Sequence, residues 1–296
     1  MPESEQRFAK SFALTSLAMI AFAANSVLCR LALGGNTIDA AGFTSIRLLS
    51  GVVVLWVILK LTHTQKTSPT KDSWPAAAML FLYAVTFSFA YLTLTTGTGA
   101  LILFGSVQMT MIILSLLSGN KLRMIEWVGL AMAFSGFVYL VLPGVAAPSL
   151  SGFSLMTLAG IAWGIYTMKG RGSINPLADT TYNFLRSIPF VIILGLLFFK
   201  NTHISREGML LAAVSGGITS GIGYTIWYMA LRGLSAIQAA VVQLSVPIIA
   251  GFGGVLFVSE QISLRLALST LLTLGGILMV ILGRNNYNKN IKRIPK

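Results

Sequence analysis

The chain has 296 residues, 55% of them hydrophobic and only 10% charged, with a mean hydropathy of +0.81. Soluble domains carry about 25% charged residues, so this composition excludes a soluble fold and reads as a polytopic, all-α integral membrane protein. The net charge of +13 does not indicate nucleic-acid binding, because no basic patch with interleaved aromatics sits on a soluble fold, and the single cysteine, Cys29, excludes an internal disulfide.

A bilayer-crossing helix needs ~20 mainly apolar residues. Ten such runs follow in order, at 11–31, 40–61, 75–95, 100–118, 124–142, 151–169, 179–199, 208–231, 236–257 and 264–282. The first could pass for a signal peptide, but residues 15–30 have a counterpart in the second half, and Leu28 before Cys29 is too large for a lipoprotein cleavage site. Connections are short, as in Thr95-Thr96-Gly97-Thr98-Gly99, so consecutive helices are antiparallel neighbours. Turn residues mark most boundaries: Gly34-Gly35-Asn36, Pro69, Gly119-Asn120, Pro143-Gly144 and Asn175-Pro176.

Loop cations set an orientation. With the N-terminus inside, fifteen lysines and arginines fall on the cytoplasmic side, among them Lys60, Lys66, Lys71, Lys121, Arg123, Lys169, Arg171, Arg232, Lys292, Arg293 and Lys296. Four, namely Arg30, Lys200, Arg206 and Arg265, fall outside. That bias places both termini in the cytoplasm of an inner (plasma) membrane protein with an even number of spans. The basic tail 284–296 then reads as an anchor near anionic headgroups.

The chain repeats itself. The stretch Leu17–Ser26 answers Leu158–Thr167, Arg47 answers Arg186, Ala90-Tyr91-Leu92 answers Trp227-Tyr228-Met229, and Gly119-Asn120-Lys121 answers Ser259-Glu260-Gln261, all in the same order. The expected organisation is a tail 1–10, a first five-helix repeat 11–142, an external linker 143–150, a second repeat 151–283 and the basic tail. Five is odd, so the second copy enters the membrane inverted, and inverted repeats place a solute site near the midplane between them.

These residues carry a family resemblance. Ala162-Trp163-Gly164, the Arg47 and Arg186 positions, Pro247 and Glu260 make the chain, over residues 10–283, similar to the EamA-type ten-helix exporters of the drug/metabolite transporter superfamily. The first half departs from the pattern: Phe22 stands in place of a tryptophan, Met109-Thr110-Met111 lacks a proline, and Asn120 replaces the glutamate. The resemblance implies export of a small metabolite such as an amino acid, by alternating access.

Arg47 and Arg186 lie within apolar runs, where an uncompensated cation costs several kcal/mol. They either line a cavity and bind a carboxylate or phosphate, or tie down carbonyls and loops of neighbouring helices. Other polar and aromatic residues within the spans are cavity candidates: Asn25, Ser26, Tyr83, Ser88, Tyr91, Gln108, Trp163, Tyr166, Thr167, Tyr224, Trp227, Tyr228 and Gln243. Aromatic walls with amides and hydroxyls suit an amphipathic solute with an apolar or aromatic side chain. Gly217 and Gly221 form a GxxxG pattern for close helix packing or a hinge, and Pro247 is expected to kink the ninth helix.

Absences narrow the function. All eight acidic residues and both histidines fall in loops, tails or helix ends, so no carboxylate relays protons at mid-membrane. There is no ATP-binding motif, metal cluster or catalytic dyad, so no cofactor, metal or enzymatic activity is expected. The expected partners are a small-molecule substrate and the lipid bilayer, with a homodimer left open. A lipid flippase and a non-transporting membrane sensor or scaffold are the alternatives.

Overall fold

A computed structural model describes residues 3–62, 73–117, 123–144, 147–170, 172–231, 234 and 236–291. Pro69, the Gly119-Asn120 turn, and the cations Lys66, Lys71, Lys121, Arg171, Arg232, Lys292, Arg293 and Lys296 lie outside the described residues. Twelve helices follow: α1 (Glu3–Gly34), α2 (Ala40–Leu61), α3 (Ser73–Ala90), α4 (Thr96–Leu117), α5 (Met124–Val141), α6 (Leu150–Gly170), α7 (Pro176–Phe198), α8 (Arg206–Val214), α9 (Gly223–Leu231), α10 (Ala236–Gln243), α11 (Ser245–Val258) and α12 (Leu264–Ile291). Between α8 and α9 the chain forms a π-helix, Ser215–Ile222. Among the described residues, nine helical segments are long and apolar enough to cross a membrane, and Trp74–Ala90 is a shorter apolar tenth. The protein is an all-α integral membrane protein.

Helix starts follow local chemistry. The Asp39 carboxylate accepts from Gly42 N at 2.7 Å and caps α2. Asn175 caps α7 ahead of Pro176, and Ser205 caps α8 through Gly208 N at 3.1 Å. The third and fourth spans depart from expectation: α3 stops at Ala90 instead of 95 and α4 begins at Thr96 instead of 100. The reason is a carboxylate from far along the chain: Glu260 Oε2 accepts from Thr96 N at 2.8 Å and so starts α4 early. The ninth span breaks at Leu244, between α10 and α11. Pro247 brings no N–H, and its ring crowds the carbonyl four residues back, on Gln243; the helix ends there.

Contacts between the first five and last five spans are reciprocal. Helix α1 packs on α9, the π segment and α11, while its counterpart α6 packs on α3 and α4. Helix α2 packs on α8 and the π segment as α7 packs on α3, and α2–α7, α4–α11 and α5–α12 pair directly. A two-fold relation between the halves generates such exchanged pairs of contacts; α4 also packs on α12, a contact without an exchanged partner of similar extent. With five spans each, the halves cross the bilayer in opposite senses.

Apolar burial does not drive helix association in lipid, so close packing and polar contacts must. The tightest approach lies between α2 and the π segment. A Cβ on Gly216 would stand 1.8 Å from the Arg47 carbonyl oxygen and 2.1 Å from Ser50 Oγ. Gly217 and Gly221 face Val54 and Leu55 of the same helix, a packing role, but Gly216 is the position where no side chain fits. Gly216→Ala should therefore cost about 1–3 kcal/mol by overpacking and lower Tm in detergent. Gly195, with nothing within 4 Å of its would-be Cβ, is the control: Gly195→Ala should melt at or slightly above wild type. Equal melting of the two variants would contradict the packing described.

Candidate functional site

Arg47 lies two turns into α2 and is 1% exposed. Its Nε donates to Ser220 Oγ at 3.0 Å, and its Nη2 donates to the hydroxyls of Tyr83 and Tyr224, each at 3.0 Å. Its Nη1 is buried without a hydrogen-bond partner. The guanidinium carbon sits 4.8 Å from the Phe87 ring centroid and 5.2 Å from that of Tyr83, within the reach of cation–π attraction. Every one of these neighbours is neutral. Tyr83 and Phe87 come from α3, and Ser220 and Tyr224 from the π segment and α9, at the same sequence offset that relates Tyr91 to Tyr228. Equivalent positions of the two halves therefore close on one arginine.

The π segment extends this network to α1. A π turn brings residues i and i+5 together, which places Ser215 and Ser220 on one side, with Thr219 between. Asn25 Oδ1 accepts from Ser215 Oγ at 2.7 Å, Thr219 Oγ1 at 2.6 Å and Ser220 Oγ at 3.3 Å. An amide oxygen has two lone pairs, so the third, longer contact is the weak one. Ser220, the residue shared with Arg47, is thus the loosest link.

An aromatic cluster adjoins the network. The Trp163 ring lies 4.6 Å from Tyr224, 4.9 Å from Tyr83, 5.3 Å from Tyr166 and 5.9 Å from Phe22, centroid to centroid. Trp227 packs on Phe22 at 5.7 Å. Phe22, Asn25, Tyr83, Leu103, Phe104, Trp163 and Tyr224 line a cavity of about 10 Å³ to a water-sized sphere, room for one water. In this conformation the side chains of this cluster nearly fill the space between them. A second polar group surrounds Tyr166, whose hydroxyl accepts from Asn183 Nδ2 at 3.4 Å. Tyr228 OH, Asn183 Oδ1, Thr167 Oγ1, Trp227 Nε1 and Gln243 Oε1 are buried without partners. This is unused hydrogen-bonding capacity at the core of the bundle.

The EamA-like transporter family model matches residues 150–282. An uncharacterized Pseudomonas aeruginosa protein is 46% identical over 275 residues, 93% of this chain and 96% of its own. The chain belongs to the EamA-like transporter family. More distant relatives include an uncharacterized transporter of Bacillus subtilis, 19% identical over 80% of this chain and 85% of its own, and one of Archaeoglobus fulgidus, 25% identical over 68% and 73%. A solved crystal structure, 18% identical, superposes with a TM-score of 0.63 over 90% of this chain and 98% of the other; it shares the fold. This EamA-like protein is accordingly a multi-pass membrane transporter embedded in the lipid bilayer.

The remaining candidates in this EamA-like chain fall elsewhere. The Ser88 hydroxyl donates to its own helix at Ala84 O, 2.9 Å, and Tyr91 OH donates to Thr96 O at 3.3 Å in the α3–α4 turn. Gln108 Nε2 reaches Ala240 O at 3.4 Å, and Ser26 is buried on α1. Arg186 is half-buried, 5.8 Å from the Trp74 ring and 5.9 Å from that of Tyr182; its Nη1, like that of Arg47, is buried without a partner, but it lies outside the Ser220, Tyr83 and Tyr224 hydroxyl set. Neither arginine is held by backbone carbonyls in the hydrogen bonds described. That task falls to arginines near helix ends, which sequence reasoning counted only as loop charges. Arg30 Nη1 donates to Tyr91 O at 3.1 Å, and Arg265 donates to the carbonyls of Leu142 and Pro143.

One end of the bundle is cross-tied between the halves. Arg30 Nε pairs with Glu260 Oε1 at 3.0 Å, the ion pair found among the described residues, while Glu260 also holds Thr96 N. Asp39 N donates to His203 O at 2.9 Å, His203 N donates to Asp39 Oδ2 at 2.9 Å, and Ser205 N donates to Thr37 O at 2.8 Å. Because Arg30 and Glu260 act as one unit, Arg30→Gln and Glu260→Gln should be non-additive. A double-mutant cycle on unfolding should show a coupling of about 0.5–3 kcal/mol; additive losses would mean that the pair does not join the halves.

Proposed function

We propose that the chain exports a small organic metabolite, such as an amino acid with an apolar or aromatic side chain, across the inner membrane by alternating access. The observation that carries this reading is the constellation at Arg47. Its neighbours occupy matched positions of the two inverted halves, Tyr83 with Ser220 and Phe87 with Tyr224, beside an aromatic cluster, so a relative movement of the halves assembles and dismantles it. A solute bound there meets groups of both halves at once, which is the requirement for a single site presented alternately to either side. In this reading the halves are 11–142 and 151–283, joined by 143–150, and the cation bias favours cytoplasmic termini. In that orientation the tied end, with Arg30, Glu260, Asp39 and His203, is the outer end, and this conformation is closed to the outside.

No acidic residue sits at mid-depth in the sequence, which favours facilitated diffusion or exchange over proton coupling. A second reading rests on a separate feature. Ile20, Val27, Leu31, Val214, Ile249 and Phe257 line a side groove of about 380 Å³ between α1, α8 and α11, and Thr219, a donor to Asn25, reaches its wall. An apolar groove on the flank of a membrane bundle suits an acyl chain, and favours lipid translocation.

Counterflow of labelled phenylalanine into proteoliposomes loaded with the unlabelled amino acid tests the first reading. Uptake is expected, unchanged by an imposed pH gradient, and reduced by roughly tenfold, ~1.4 kcal/mol, in Tyr224→Ala. Headgroup-labelled lipid in the same vesicles tests the second. Lipid exchange between leaflets without amino-acid counterflow would replace the exporter reading with a lipid one, and strict gradient dependence would remove the uncoupled mechanism.

A further inference from the structure

Arg47 carries a full charge that no carboxylate among the described residues pairs with. Its three partners, Ser220, Tyr83 and Tyr224, are neutral hydroxyls, and one of its terminal nitrogens is buried with no partner. Among the described carboxylates near other helix ends, Glu260 is engaged with Arg30 and Thr96, Asp39 with Gly42 and His203, Glu126 with Arg123 N and Asp179 with Ser173. A guanidinium cannot neutralise itself by losing its proton in a protein. Burying a cation without a counter-ion is costly, and neutral hydroxyls recover only part of the loss. A full set of donors facing an incomplete set of acceptors is the arrangement of a binding site in its empty state.

The same hydroxyls separate Arg47 from the central cavity. Tyr83 and Tyr224 both line that cavity and both accept from Nη2, and their hydroxyl oxygens lie 3.4 Å apart. Parting of these two side chains exposes the guanidinium to a solute held against Trp163 and Phe22. We infer that Arg47 is the anchor for a carboxylate of the transported solute, so the substrate class is a carboxylate attached to an apolar or aromatic body. Amino acids are taken through their α-carboxylate. This rests on the transporter reading above and narrows it.

The chemistry favours a carboxylate. Two parallel N–H···O bonds from a guanidinium match the two carboxylate oxygens, and charge assistance makes them about twice as strong as neutral ones. Nη1 is free for one oxygen, and Nη2 serves the other once the tyrosine hydroxyls turn. Those hydroxyls, acceptors from Arg47 in the empty site, then rotate to donate to the anion. The carboxylate gives the guanidinium its counter-ion, so the occupied site pairs a charge that the unoccupied one leaves unpaired. That difference disfavours reorientation of an empty carrier and favours exchange over leak. Arg186, half-buried and outside this hydroxyl set, is not assigned the role.

The test is binding to the purified full-length protein, followed by thermal shift and tryptophan fluorescence. Four probes share one ring: L-phenylalanine, 3-phenylpropanoate, L-phenylalaninamide and phenethylamine. Both carboxylates are expected to raise Tm, while the amide and the amine bind at least a hundredfold more weakly. Arg47→Gln is expected to lose carboxylate binding by a similar factor. The acid-against-amide comparison uses the wild-type chain, so it stands even if Arg47→Gln does not fold. Amide binding equal to acid binding, unchanged binding in folded Arg47→Gln, or no carboxylate binding to wild type would each overturn the assignment. Flux measured with the same probes separates the two claims. Transport of the amide or amine alone would remove the carboxylate anchor and leave the transporter reading. Carboxylate binding without movement of any probe would support the anchor and remove transport through this site.

Discussion

A guanidinium held inside a membrane bundle by three hydroxyl groups is the constraint around which this structure is built. Arg47 cannot shed its proton, so the protein must surround it with acceptors drawn from more than one helix. Tyr83 supplies one from the first half, and Ser220 and Tyr224 supply two from the second. The π segment follows from the same demand. Only a turn wider than an α-helix lets Ser215, Thr219 and Ser220 reach Asn25 while Ser220 also reaches Arg47, and only glycine at 216 lets α2 come close enough. Apolar contacts discriminate poorly between helix arrangements in lipid, whereas this network specifies a single one.

The cations divide into two classes. Arg30 and Arg265 cap carbonyls or pair with a carboxylate at one end of the bundle, partly exposed, where water lowers the cost of charge. Arg47 is deeply buried and hydrogen-bonded only to neutral hydroxyls. The end-ties are also distributed over several loops: Arg30–Glu260, Asp39–His203 and Thr37–Ser205 each cross from one half to the other. Opening that end means breaking several modest bonds in sequence, each readily replaced by water. A carrier that must open and reclose is better served by such contacts than by one deep, dry ion pair.

Much of this was legible in the sequence, for identifiable reasons. Long apolar runs with short polar breaks define the spans, and a lone arginine among hydrocarbon side chains at 47 stands out because its charge is out of place. Internal repetition predicted the inversion, which the reciprocal packing of α1 with α9 and α6 with α3 displays. Other features were hidden. Ser220 looks like one more small residue in a glycine-rich run, and no periodicity marks a π turn. Arg186 occupies the repeat position of Arg47, but among the described residues its neighbours are the Trp74 and Tyr182 rings and not a hydroxyl cage, so sequence equivalence overstated likeness of environment. Arg30 looked like an ordinary loop charge because its partner Glu260 is 230 residues away. Ser88 and Tyr91 were plausible cavity residues whose hydroxyls are taken by nearby carbonyls, a local competition that burial within a span does not reveal.

The central claim is that the space beside Arg47 opens in turn to each side of the membrane. Cys29 is the chain's one cysteine, so a Cys29→Ser background carrying Trp163→Cys gives a single reporter on the cavity wall. Alkylation by a water-soluble, membrane-impermeant maleimide would be followed in sealed right-side-out and inside-out vesicles. Alternating access predicts labelling in both preparations, slowed in each by a carboxylate solute that the protein binds. Labelling from only one side, or none in folded protein, would contradict it.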